Sequence, residues 1–158
     1  MVQTTTKSSQ DRTFAILSID GRRFFLPQQE IHSLELVIDI DKTKPLPRTV
    51  GWFLEGSEKW PIYCLDRELN ILSYIPSSRK ACVLIGDRGL NFGVLCDEVS
   101  SLEDSHPTTC PVPKCMATPH LPIECLIVIE GKVECVTTTI LLARVLNSDN
   151  HKGAYGDR

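Results

Sequence analysis

The chain has 158 residues, 17 Lys+Arg against 20 Asp+Glu, a formal net charge of −3 and 42% hydrophobic residues. This length favours one domain, or one domain of two small lobes, with a core large enough to need no staples. The acidic balance excludes a nucleic-acid binder that works by neutralising phosphates and a polybasic membrane-surface protein. No apolar run approaches the roughly 20 residues that cross a bilayer. The opening MVQTTTKSSQDR has no apolar signal-peptide core, so a cytoplasmic protein without membrane insertion is expected.

Residues 1–12 read as a disordered polar tail, and residues 148–158 as another. Between them lie short strand-like segments with tight turns. Phe14 to Ile19 is the first strand, Asp20-Gly21 a two-residue turn, and Arg22 to Leu26 the return strand, stopped by Pro27. Gln28 to Ser33 is one helical turn or a bend. Leu34 to Ile40 alternates, with Leu34, Leu36, Ile38 and Ile40 on one face and Glu35 and Asp39 on the other, as in a half-exposed strand. Val50 to Glu55 and Trp60 to Leu65 form a hairpin, its two tryptophans expected in one apolar cluster. Arg67 to Leu72 suggests a short helix. Ala81 to Ile85 and Leu90 to Cys96 form a further hairpin, and Asp97 to Leu102 continues as a strand or bends away.

Residues 103–122 hold five prolines and no periodicity, which predicts a long loop. Glu124 to Ile129 and Lys132 to Val136 pair about Glu130-Gly131, and one of Thr137, Thr138 or Thr139 caps a closing helix that ends near Val145-Leu146. About nine short strands without helix alternation predict a mostly β protein, a small barrel or a sandwich.

Seven cysteines, an odd number, without an export signal point to reduced thiols. Cys64, Cys82, Cys96, Cys125 and Cys135 sit in apolar runs and read as small core hydrophobes. The phosphate-loop, dinucleotide, zinc-protease and nucleophile-elbow motifs are all absent. Two chemical alternatives are weighed. One is a zinc-bearing interaction module on residues 106–125, using His106, Cys110, Cys115, His120 and Cys125. The other is a thiol hydrolase built from Cys96, Asp97 and His120. Asp66, Asp97, Glu98, Glu103 and Asp104 are better read as solvated acids than as an acid/base pair. No catalytic residue, cofactor site or metal site is assigned.

Laid end to end, the segments resemble a CheW-like domain, the adaptor module of bacterial chemotaxis-type signalling. The likeness runs through FAILSIDGRRFFLPQQEI, with Glu30-Ile31 at the bend. It continues through PLPRTVGWFLEGSEKWPIYCLD, with Gly51, Pro61, Leu65 and Asp66 in register. It extends to Gly93-Val94-Leu95-Cys96-Asp97-Glu98-Val99 and to IECLIVIEGKVECVTTTILLARVL, spanning residues 13–147.

The resemblance implies two small intertwined SH3-like five-stranded β-barrels with short helices, a hydrophobic seam between them, and no enzymatic activity. It implies two partners: the regulatory domain of a CheA-type histidine kinase, which shares the fold, and a chemoreceptor cytoplasmic tip. The expected partner-binding residues are Gln28, Gln29, Glu30 and Ile31 in the bend, Gly51, Leu54, Glu55 and Gly56 in the hairpin, and Gly93, Leu95, Asp97, Val99 and Ser101 in the second-lobe strand. Where the family carries Asn-Leu-Arg-Gly, the Arg position here falls on Glu55 or Gly56. Losing that positive charge changes which partner fits.

Overall fold

The computed structural model describes residues 13–43, 46–102 and 107–148. The expected tails, apart from Ser148, lie outside these residues, as do Glu103, Asp104 and His106.

Two sheets and one helix account for the described chain. The first sheet contains β1 (Phe14–Ile19), β2 (Arg22–Pro27), β9 (Glu98–Ser101), β10 (Thr108–Cys110), β11 (Cys125–Ile129) and β12 (Lys132–Val136), in the order β10-β11-β12-β2-β1-β9. The second contains β3 (Ile31–Leu36), β4 (Gly51–Glu55), β5 (Glu58–Leu65), β7 (Ala81–Asp87) and β8 (Leu90–Cys96), in the order β3-β7-β8-β5-β4, with β6 (Ile71–Leu72) paired to β5. Lobe one is thus made from both ends of the domain and lobe two from its middle. Most neighbours pair antiparallel, but β12 pairs parallel to β2 and β5 parallel to β8. Lobe one carries six strands rather than the expected five, because Thr108–Cys110 leaves the proline-rich loop to pair with β11.

The turns follow from residue chemistry. Asp20-Gly21, Arg88-Gly89 and Glu130-Gly131 all have positive φ at both residues, the twist that matches a two-residue hairpin. The helix predicted at 67–72 does not form. The Asp66 carboxylate instead accepts hydrogen bonds from the amides of Glu68 and Asn70, each at 2.9 Å, so a side chain captures the backbone donors a helix would use. Helix α1 (Thr139–Asn147) starts as expected: the Thr138 hydroxyl oxygen accepts from the Leu141 amide at 3.2 Å.

Alternation along the central strands feeds three clusters. Phe14, Ile16 and Phe25 point into lobe one with Ile127 and Val136. Ile62, Cys82, Leu84 and Leu95 point into lobe two with Trp60. The opposite faces (Leu17, Ile19, Phe24 and Leu26 against Val83, Ile85, Phe92 and Val94) meet in a seam that α1 closes with Leu142 and Leu146. Strands buried on both faces read as continuous apolar runs, which is why these segments look alike in sequence.

Among the described residues, one isolated bridge closes lobe two. Asp41 and Trp52 exchange both backbone hydrogen bonds at 2.8 Å, joining the segment after β3 to β4. Gly51 permits this crossing, since a Cβ there would lie 2.4 Å from the Asp41 carbonyl oxygen.

Candidate interaction groove

The sequence reading assigned Leu34, Leu36, Ile38 and Ile40 to one face, and the structure splits them. Ile40 is buried, while Leu34, Leu36 and Ile38 are 56%, 61% and 83% exposed. The 3-10 turn at Val37–Asp39 explains the change, because it breaks the strand alternation and brings Ile40 back inside. A bulge upstream, where Ile31 lies opposite Ile85 but Ser33 opposite Leu84, leaves the alternation of exposure along β3 intact. The strand runs Ile31–Leu36 rather than Leu34 to Ile40; it is half-exposed as expected, with its leucines outward.

Beside this edge lies a groove of about 430 Å³, bounded by Gln28, Ile31 and Leu34 on one side and Val99, Ser100 and Ser101 on the other. Its walls come from both lobes: β3 follows the 3-10 turn Gln28–Glu30, and β9 pairs with β1 along only one edge among the described residues. The groove combines apolar side chains, hydroxyls and an amide with an open strand edge, which suits a partner segment and carries no reactive group.

The structure gathers four of the expected contact residues here: Gln28, Ile31, Val99 and Ser101. Exposed Gln29 adjoins them in the 3-10 turn. Glu30 has a different job. Its Oε1 accepts a hydrogen bond from the Thr139 amide at 2.8 Å, satisfying a free donor at the start of α1. The 51–56 hairpin forms a separate surface. Leu54 is exposed, Gly56 makes the turn at φ +59, and the Glu55 carboxylate lies 3.6 Å from His32 Nε2. Trp52 and Trp60 do not share a cluster. Trp60 faces the core opposite Phe53, whereas Trp52 lies on the outer face with the Lys59 ammonium 5.8 Å from its ring centre.

Gly51, Gly93 and Leu95 are buried, so their side-chain positions serve the scaffold. A Cβ on Gly93 would lie 2.4 Å from Ile62 Cδ1, and Leu95 is fully enclosed in lobe two.

Asp97 belongs to an ion cluster that the sequence reading missed. Arg79, only 3% exposed, donates from Nη1 to Asp20 Oδ1 and Asp97 Oδ1, both at 2.7 Å. Its Nη2 donates to Asp20 Oδ2 at 2.9 Å and to the Leu65 carbonyl at 2.8 Å. The Asp20 amide donates to Asp97 Oδ2 at 2.8 Å. Hydrogen bonding to Arg79 holds the Asp20 carboxyl below its ordinary range, and the same bond to Asp20 raises Arg79 further. The cluster pins the β1–β2 turn to lobe two. Its sequence signal was faint: an arginine in a Pro-Ser-Ser linker beside the Asp20-Gly21 turn.

The chemical alternatives gain no support. Cys96 is fully buried, and burial pushes its thiol up, away from the thiolate a nucleophile needs. Cys64 and Cys82 are buried with raised thiols, Cys82 to about 12, while Cys125 and Cys135 are only half-buried. Cys110 is half-buried, and Cys115 and His120 are exposed. Among the described residues no three of His, Cys, Asp and Glu gather to hold a metal ion. Nor is any helix among them long and apolar enough to cross a membrane.

No family model matches the chain, and no curated protein matches it. Among solved structures it is similar to the scaffolding protein TtCheW from Thermoanaerobacter tengcongensis. The TM-score is 0.64 at 14% identity, covering 80% of this chain and 88% of that one. The two-lobed arrangement of sheets is therefore the CheW-like fold, carried by a strongly divergent sequence.

Proposed function

We propose that this chain is a non-enzymatic cytoplasmic adaptor of chemotaxis-type signal transduction, linking the regulatory domain of a CheA-type histidine kinase to a chemoreceptor cytoplasmic tip. The observation that carries the reading is the outward-facing Leu34 and Leu36 on β3, beside a groove walled by both lobes. Exposed apolar residues on an edge strand invite aggregation unless a partner covers them. The likeness to a scaffolding protein supports the same reading at the level of fold.

In this scheme Gln28, Gln29, Ile31, Leu34, Val99 and Ser101 receive the apolar face of a receptor helix. Leu54, Glu55 and Gly56 offer a second contact face to the kinase. Gly51, Gly93, Leu95, Glu30 and Asp97 act indirectly, by holding those surfaces in shape.

Calorimetric titration against the two partners separately tests the proposal. Both complexes are expected, and Leu34→Glu weakens receptor-tip binding by about tenfold or more, the effect of one buried hot-spot contact. The same substitution leaves kinase binding unchanged. Absence of both complexes at high micromolar protein overturns the proposal.

A further inference from the structure

A second cleft, of about 390 Å³, opens where the β1–β2 and β11–β12 turns face the 66–70 loop. Its charged lining is Arg22, Arg23, Arg67 and Lys132 against Glu130 and Glu134. Arg23 and Glu134 satisfy each other, with Nη2 and Nε donating to Oε1 at 2.6 and 3.1 Å.

The remaining cations are not matched. The Arg22 guanidinium is held in place by donating to the Arg67 carbonyl at 3.1 Å and by lying 4.9 Å above the Phe24 ring centre, neither of which is a carboxylate. Among the described residues, Arg22, Arg67 and Lys132 have no carboxylate within ion-pair distance. Arg67 does act at longer range on Asp20, but Asp20 is already committed to Arg79. A chain of net charge −3 therefore keeps an excess of two positive charges in one concave place. Like charges held together in a cleft focus a field that an anion relieves.

We propose that this cleft binds a phosphate monoester. Such a group carries about −1.5 to −2 charge at neutral pH, which matches the excess better than the single charge of a carboxylate. Guanidinium forks suit its oxygens. The volume falls in the roughly 300–1,000 Å³ range of small-molecule sites, leaving room for the body of the ester beside the phosphate. The ester is either a free small molecule or a phosphorylated side chain of a partner.

The test is an amide NMR titration of the full chain at constant ionic strength with inorganic phosphate, adenosine monophosphate, a phosphoserine peptide and a glutamate-rich peptide. The phosphate probes are expected to shift the amides of Gly21, Arg67 and Glu130 saturably, while sodium chloride does not. Arg67→Gln and Lys132→Gln, both at exposed positions, each weaken binding by about tenfold, the size of one charge-assisted hydrogen bond. Lys114→Gln, on the proline-rich loop, leaves it unchanged. Tighter binding of the nucleotide assigns a free ester, and tighter binding of the phosphopeptide assigns a modified partner. The proposal fails if no phosphate probe saturates, if the glutamate-rich peptide binds more tightly than all of them, or if Arg67→Gln and Lys132→Gln bind as the parent does.

Discussion

β3 and β8 both carry large apolar side chains and use them in opposite ways. β8 lies between two neighbours in its sheet, with Phe92 and Val94 in the seam and Leu95 inside lobe two. β3 lies at the end of its sheet order, and its leucines face outward. An apolar residue in a central strand contributes to stability. One on the outer face of an end strand adds little to it and is free to serve recognition.

The sharpest way to break that comparison is paired truncation. Leu26→Ala removes a fully buried seam side chain and is expected to cost about 3 kcal/mol, whereas Leu36→Ala stays within about 0.5 kcal/mol, both read by urea unfolding. A large loss for Leu36→Ala would mean that the β3 stripe is core after all.

Arg79→Ala is expected to cost a similar amount, about 3 kcal/mol, because it strands two carboxylates between the lobes. It also has a pH signature. The hydrogen bond to Arg79 holds the folded-state pKa of Asp20 below the ordinary carboxylate value of 3.8, so its contribution is complete above that value and is lost as pH falls through the folded pKa. Acid unfolding curves of parent and Arg79→Ala should therefore converge at low pH.

Gly51→Ala places a Cβ against backbone that cannot swing aside, and about 2 kcal/mol is expected from thermal or urea unfolding. Among the substitutions expected to destabilise, Glu30→Gln costs least, about 1 kcal/mol, since the amide still accepts from Thr139 but loses the favourable charge at the helix start.

The hairpins were legible because glycine marks their turns, and the helix because Thr138 supplies its cap. The groove was only partly legible. Gln28, Ile31, Val99 and Ser101 could be named from the resemblance, but not the outward turn of Leu34 and Leu36. Alternation names the two faces of a strand but not which one is covered, and the 3-10 turn at Val37–Asp39 that parts Ile40 from the other three leaves no compositional trace. Arg79 was missed for a different reason: its carboxylate partners lie 59 and 18 residues away, and local pattern cannot see across that distance. The short strand Thr108–Cys110 escaped because three residues are too few to show a period.

The parallel pairing of β2 with β12 has a consequence for biosynthesis. Arg23 and Glu134 meet across 111 positions, so the β1–β2 hairpin cannot complete its sheet until β12 has left the ribosome. The middle segment, whose contacts are closer in sequence, is free to condense first, while Phe14, Ile16 and Phe25 wait for Ile127 and Val136. A nascent chain stalled before residue 132 would therefore hold one finished half and one adhesive end, a natural substrate for holdase chaperones.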